Sequence, residues 1–190
     1  MAKKALIVVD VQNDFCPGGT LAVLQSDEVI APINQLVNQY LAAGDLVVYT
    51  KDHHPANHHS FQSAHPDGIW PDHCVQNTNG WEFHPDLIVE GPVFYTAFLA
   101  EEDSYSGFGG HIEANKDAQL LGDYLKENGV EAVTVVGLAL DYCIKATAID
   151  AHNLDFASTV LLDGTRAVNV NPDDGDKAIA EMKSLGVVVL

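Results

Sequence analysis

Short apolar runs of strand length recur along this chain, and most of the stretches between them carry helical spacing. Ala5-Leu6-Ile7-Val8-Val9-Asp10 is apolar at every position until its closing carboxylate. A strand without polar alternation needs cover on both faces, as in a parallel sheet. Residues 46–50 repeat the pattern and lead to Asp52; residues 93–95, 132–136, 158–162 and 187–190 read as further strands. Between them, residues 27–43 place Val29, Ile30, Ile33, Leu36, Val37, Tyr40 and Leu41 on one helical face, and Gly44 stops the helix. Helices are also expected over 115–128, 141–153 and 172–185, the last with Pro172 near its first turn. Alternation of this kind implies right-handed crossovers and a single three-layer α/β/α domain over residues 1–190, with a mainly parallel sheet of about six strands. Ligands of such folds bind beyond the carboxyl ends of the strands. Asp10, Asp52, Thr96 and the segment after Gly137 are therefore the places to look.

Charge narrows the partners. The chain has 27 acidic against 9 basic residues, a formal net charge of −18. Nucleic acid and anionic membrane surfaces are not expected partners, because both call for a basic stripe. Apolar residues make up 47%, enough to fold despite that charge. No apolar run reaches the roughly 20 residues that span a bilayer. The start of the chain reads as a strand rather than a signal peptide, so a cytoplasmic location is expected. Cys16, Cys74 and Cys143 form no paired framework and are expected as reduced thiols. Monomer and homo-oligomer are both compatible with this composition.

Seven of the nine histidines lie between residues 53 and 84. Most belong to a polar loop, but Asp52 and His54 form an Asp-x-His pair where a strand passes into that loop. His73 can close a facial Asp-His-His site with them. One carboxylate and two imidazoles suit a divalent metal: zinc first, iron or manganese as alternatives. His58 and Ser60 can add a ligand or orient the others.

Cys143 follows Gly137-Leu138-Ala139-Leu140-Asp141-Tyr142 between an expected strand and an expected helix. A helix N-terminus favours the thiolate, and the N–H groups of its first turn can hold an oxyanion. A buried core cysteine is the competing reading. Asp10 is the candidate base.

These residues carry a family resemblance. Asp10-Val11-Gln12-Asn13-Asp14-Phe15-Cys16-Pro17-Gly18-Gly19, Asp52-His53-His54-Pro55-Ala56-Asn57-His58, Trp70-Pro71-Asp72-His73-Cys74-Val75-Gln76, Asp103-Ser104-Tyr105-Ser106-Gly107-Phe108 and residues 137–143 resemble, in order, the motifs of the nicotinamidase/pyrazinamidase family of isochorismatase-like cysteine hydrolases. The resemblance implies hydrolysis of nicotinamide, and of pyrazinamide, to the acid and ammonia through a Cys143 thioester. It implies an Asp-Lys-Cys triad, a metal on Asp52, His54 and His73, and a cis peptide before Ala139. It implies an oxyanion hole from the N–H groups of Ala139 and Cys143, and a substrate pocket lined by Phe15, Leu21, Trp70 and Tyr105.

One position departs from the pattern. Where the resemblance calls for a lysine, Val93-Phe94-Tyr95-Thr96 supplies Thr96, and no lysine lies between residues 52 and 115. Lys51 adjoins Asp52 but, as its strand neighbour, is expected to point to the other face. Activity reduced by this replacement is one expectation. Another isochorismatase-like hydrolase, such as an N-carbamoyl amidase, and a catalytically impaired metal- or nicotinamide-binding homologue are the competing readings.

Overall fold

The computed structural model describes residues 3–190. Six strands, β1 (Lys3–Val9), β2 (Leu46–Asp52), β3 (Val93–Thr96), β4 (Val130–Leu138), β5 (Ala157–Arg166) and β6 (Val188–Val189), form one sheet in the order β3-β2-β1-β4-β5-β6. Every pairing is parallel. The helices are α1 (Ile30–Ala43), α2 (Leu121–Glu127), α3 (Lys145–Asn153) and α4 (Asp174–Ser184). The expected three-layer α/β/α architecture is the one found.

The apolar runs become strands because both faces of the sheet are covered. On β1, Ala5, Ile7 and Val9 join a core with Leu121, Leu125, Ile144, Ala148 and Met182, from α2, α3, α4 and the turn before α3. Leu6 and Val8 point the other way, into a core with Ile30, Ile33 and Val37 of α1. The period of two in a strand sends alternate residues of one uniformly apolar segment to two separate layers.

Three expected helices are shorter than the sequence suggests. Residues 26–29 form a 3₁₀ turn, and α1 begins only at Ile30. The helix expected over 115–128 begins at Leu121, because the preceding backbone folds back on the segment after β3. His111 bridges antiparallel to Leu120, and Ile112 N–H donates to Gln119 O at 2.9 Å. Pro172 lies before α4, where the Asp174 carboxylate turns back to accept from Asn171 N–H at 2.8 Å. The helix expected at 141 opens instead as a wide π-type turn, Leu140–Ile144, that leads into α3.

The sheet's chain path reverses between β1 and β4. From β1 the chain adds β2 and then β3 on one side; it then crosses to place β4 on the other. The last residues of β4 pass so close to β1 that Gly137, at φ 119°, has no room for a side chain: a Cβ there would run into the Val9 carbonyl. Gly137→Ala is expected to destabilise the protein by about 3 kcal/mol or more, backbone strain adding to overpacking. Gly44 also has positive φ, 74°, but faces open space. Gly44→Ala is expected to cost only about 1–2 kcal/mol, from strain alone. Urea unfolding midpoints of the two variants check the contrast.

Candidate active site

The carboxyl ends of four neighbouring strands supply the site. Asp10 follows β1, Asp52 and Thr96 are the last residues of β2 and β3, and Ala139 follows β4 across a cis peptide bond from Leu138. Asp10 and Ala97 have left-handed backbone, φ 49° and 50°, which turns the chain sharply at both strand ends. Beyond Ala139 the wide turn carries Cys143 back over the end of β1. The Asp10 carboxylate lies close enough to the Cys143 thiol for each to shift the other's proton affinity. It accepts from the Thr50 hydroxyl at 2.7 Å. Both Asp10 and Cys143 are buried.

Burial, and then the nearby Asp52 charge, hold the Asp10 carboxyl well above its usual range. Burial, followed by the charges of Asp10 and Asp52, pushes the Cys143 thiol up as well. Among the described residues no lysine or arginine lines the cavity above this pair. Lys51 points away from it, as strand geometry requires: its ammonium sits 3.2 Å from the Trp81 ring centroid and 3.3 Å from Glu82.

Asp52, His54 and His73, all buried, bring their donor atoms within 4.8 Å of one another. Their tautomers follow from their partners. His54 Nδ1 lies 3.2 Å from the His73 carbonyl, and His73 Nδ1 lies 2.8 Å from the Pro71 carbonyl. A carbonyl only accepts, so each Nδ1 carries a proton and Nε2 is the ring atom available to a metal. Burial pushes His54 down to about 3, which keeps it neutral. His73 Nε2 stands 3.9 Å from Asp52 Oδ2. Two imidazoles whose Nδ1 atoms are turned to carbonyls, beside a carboxylate, suit a divalent cation through Nε2.

His58 is differently engaged. Its Nε2 donates to the Glu102 carbonyl at 3.0 Å, so its Nδ1 accepts from the Ser60 hydroxyl at 2.8 Å. His54, His58 and Asp103 form a second, overlapping set of possible donors, but using it would cost His58 one of these bonds.

A narrow cavity opens above the thiol. Phe15, Leu21, Trp70 and Tyr105 all line it. The Trp70 indole N–H donates to the Tyr105 hydroxyl at 3.0 Å, and Phe15 leans on His73 with ring centroids 5.5 Å apart.

Sequence reasoning missed two kinds of residue. Tyr142 and Val168 also line the cavity. Val168 is brought there by Asp141, whose carboxylate accepts the N–H groups of Val168 and Asn169 at 2.9 and 2.8 Å. Gln12 and Asp14 hold the loops from beneath. The Gln12 amide accepts from Asp52 N–H and donates to Asp52 O, both at 2.9 Å, and Asp14 accepts from Cys74 N–H, next to His73, at 2.7 Å. Their only signal was their place in the motif that follows Asp10.

A parallel sheet with an acid–thiol pair at its switch point, beside an Asp-His-His set, is the arrangement of an isochorismatase-like α/β hydrolase. Residues 4–190 match the family model described as Isochorismatase domain. Within that class, a nicotinamidase of Escherichia coli is 38% identical, the match covering 100% of this chain and 95% of that one. A nicotinamidase/pyrazinamidase of Mycobacterium tuberculosis is 41% identical over 97% of this chain and 96% of the relative. The crystal structure of a Pyrococcus horikoshii pyrazinamidase in complex with zinc superposes with a TM-score of 0.87 at 38% identity, covering 99% of this chain and 98% of that one. The chain belongs to the nicotinamidase/pyrazinamidase family.

All three thiols are free and buried. Burial raises Cys16 to about 11 and Cys74 well above the ordinary value. Only Cys143 lines the active-site cavity. In metal-free protein, iodoacetamide is expected to modify Cys143 first, slowly at neutral pH. The rate should still climb above pH 9.0, the ordinary thiol value, because the thiolate fraction grows as pH approaches the raised pKa. Mass spectrometry of timed digests reads both the order and the pH trend.

Proposed function

We propose that this protein hydrolyses nicotinamide to nicotinate and ammonia, and takes pyrazinamide as a second substrate. The observation that carries this reading is the buried Asp10–Cys143 pair, whose thiol lines an aromatic cavity with Asp52, His54 and His73 in its wall. In the proposed reaction the Asp10 carboxylate takes the thiol proton as Cys143 Sγ forms a bond to the carboxamide carbon. A raised carboxylate pKa makes Asp10 a stronger base for that step. The N–H groups of Ala139 and Cys143 receive the developing oxyanion. Asp10 then returns the proton to the leaving nitrogen, the C–N bond breaks and ammonia departs. Water attacks the thioester carbon, its proton passing through Asp10 to the sulfur, and nicotinate leaves with the thiol restored.

Phe15, Leu21, Trp70 and Tyr105 hold the flat ring, and orientation of this kind supplies much of the rate in acyl transfer. Asp52, His54 and His73 would hold the divalent metal, for which zinc is the proposed ion. Bound there, it supplies a Lewis-acid contact for the ring nitrogen. A neutral amide meets no repulsion at the acidic cavity, whereas the nicotinate product is an anion and its release is favoured by the same field. The free thiols fit a reducing compartment, and the cytoplasm is the proposed location.

Thr96 favours a second reading, a homologue that binds metal and nicotinamide but turns over weakly. A lysine there would place a positive charge beside Asp10 and the developing thiolate, and Thr96 offers none. Ammonia release from nicotinamide separates the two readings. The parent protein is expected to release ammonia, to stop when treated with a chelator and to recover on zinc addition. Cys143→Ala is expected to be inactive, a loss of at least about 10³-fold. Tight nicotinamide binding with no ammonia at high protein concentration would replace the enzyme reading with the binding one. Thr96→Lys, assayed at saturating zinc, is expected to turn over faster than the parent; if it does not once zinc occupancy is matched, the missing cation is not what limits the rate.

A further inference from the structure

We infer that Thr96 is a positioning residue for the metal: its hydroxyl fixes which oxygen of Asp52 faces the ion. This rests on the reading of Asp52, His54 and His73 as a metal-binding set. Thr96 lies directly across the β2–β3 ladder from Asp52, and both side chains are buried. Its Oγ1 donates to Asp52 Oδ1 at 2.9 Å. The other acceptor in reach, the Lys51 carbonyl, is at 3.5 Å, so the single hydroxyl proton belongs to the carboxylate. With Oδ1 held in this way, Oδ2 is the oxygen left to face His73 Nε2.

Gln12 and Thr96 divide the task. Gln12 grips the Asp52 backbone from both sides. Only the side-chain torsions remain free, and the Thr96 hydroxyl sets them. The same device recurs one strand inward, where the Thr50 hydroxyl of β2 donates to Asp10 beyond β1. At each step a neutral donor on one strand orients a carboxylate on the next. Thr96 therefore has a role of its own at a position where the resemblance calls for a cation.

The test is zinc affinity of metal-stripped protein, measured by competition with a chromophoric chelator. Thr96→Val keeps the shape and removes the donor. It is expected to weaken zinc binding by about 10-fold or more, while Thr96→Ser stays within about threefold of the parent. Cobalt(II) absorption of the loaded proteins gives a second readout: Thr96→Ser should reproduce the parent spectrum and Thr96→Val should not. A valine variant that binds zinc as tightly as the parent, or a serine variant as weak as the valine one, would overturn the assignment. If Thr96→Val does not fold, as judged by its thermal midpoint, Thr96→Ala against Thr96→Ser carries the same comparison. Asp52→Ala separates the two levels of the reading. If the parent takes up no zinc, or Asp52→Ala binds it as well as the parent, the metal set itself is wrong and the role of Thr96 goes with it. If Asp52→Ala loses zinc and Thr96→Val does not, only the role of Thr96 is wrong.

Discussion

Asp10 and Asp52 are withdrawn from water side by side, at the carboxyl edge of one sheet, and among the described residues no lysine or arginine shifts either one. Burying a single carboxylate is costly, and the neighbouring Asp52 charge raises the proton affinity of Asp10 further. The site is organised around that constraint. Thr50 and Thr96 each give a hydroxyl hydrogen bond to one carboxylate. The Cys143 thiol lies beside Asp10, and two imidazoles flank Asp52. In the proposed reading one carboxylate exchanges a proton and the other meets a cation.

The fold makes this arrangement from ordinary parts. Parallel strands end in register, so residues that follow adjacent strands fall close together whatever their separation in sequence. Left-handed backbone at Asp10 and Ala97 bends the chain away at once, leaving the strand ends open to the cavity. Cys74, next to His73, shares this conformation at φ 47° and is held by Asp14. Non-glycine residues in this region cost stability, and they persist where surrounding bonds over-determine them.

Much of this was legible in the sequence, for stated physical reasons. The uniformly apolar run before Asp10 announced a strand covered on both faces. The switch-point rule then brought Asp10 towards Cys143 without any contact being known. Lys51 pointed away from the cavity because strand neighbours must diverge. The helix expected at 115 failed because backbone pairing between His111 and Leu120, a long-range contact, overrode local spacing. Tyr142 and Val168 were not legible for a related reason. Their place depends on how Asp141 ties a loop after β5 to the turn after β4, and nothing local in either segment records that bond. Gln12 was visible as a residue but not as a clamp, since its partner lies 40 residues away.

The order of strands has a consequence for the way this protein comes off the ribosome. β1 ends up with β2 on one side and β4 on the other, but β4 is made long after both. Until residues 130–138 have emerged, β1 is a bare edge of a half-sheet, fully apolar from Ala5 to Val9 and open to other chains. Cys143, the proposed nucleophile, is made later still. A nascent chain therefore passes through its most aggregation-prone stage before it can carry any chemistry, and the strand that ends this exposure also delivers the thiol.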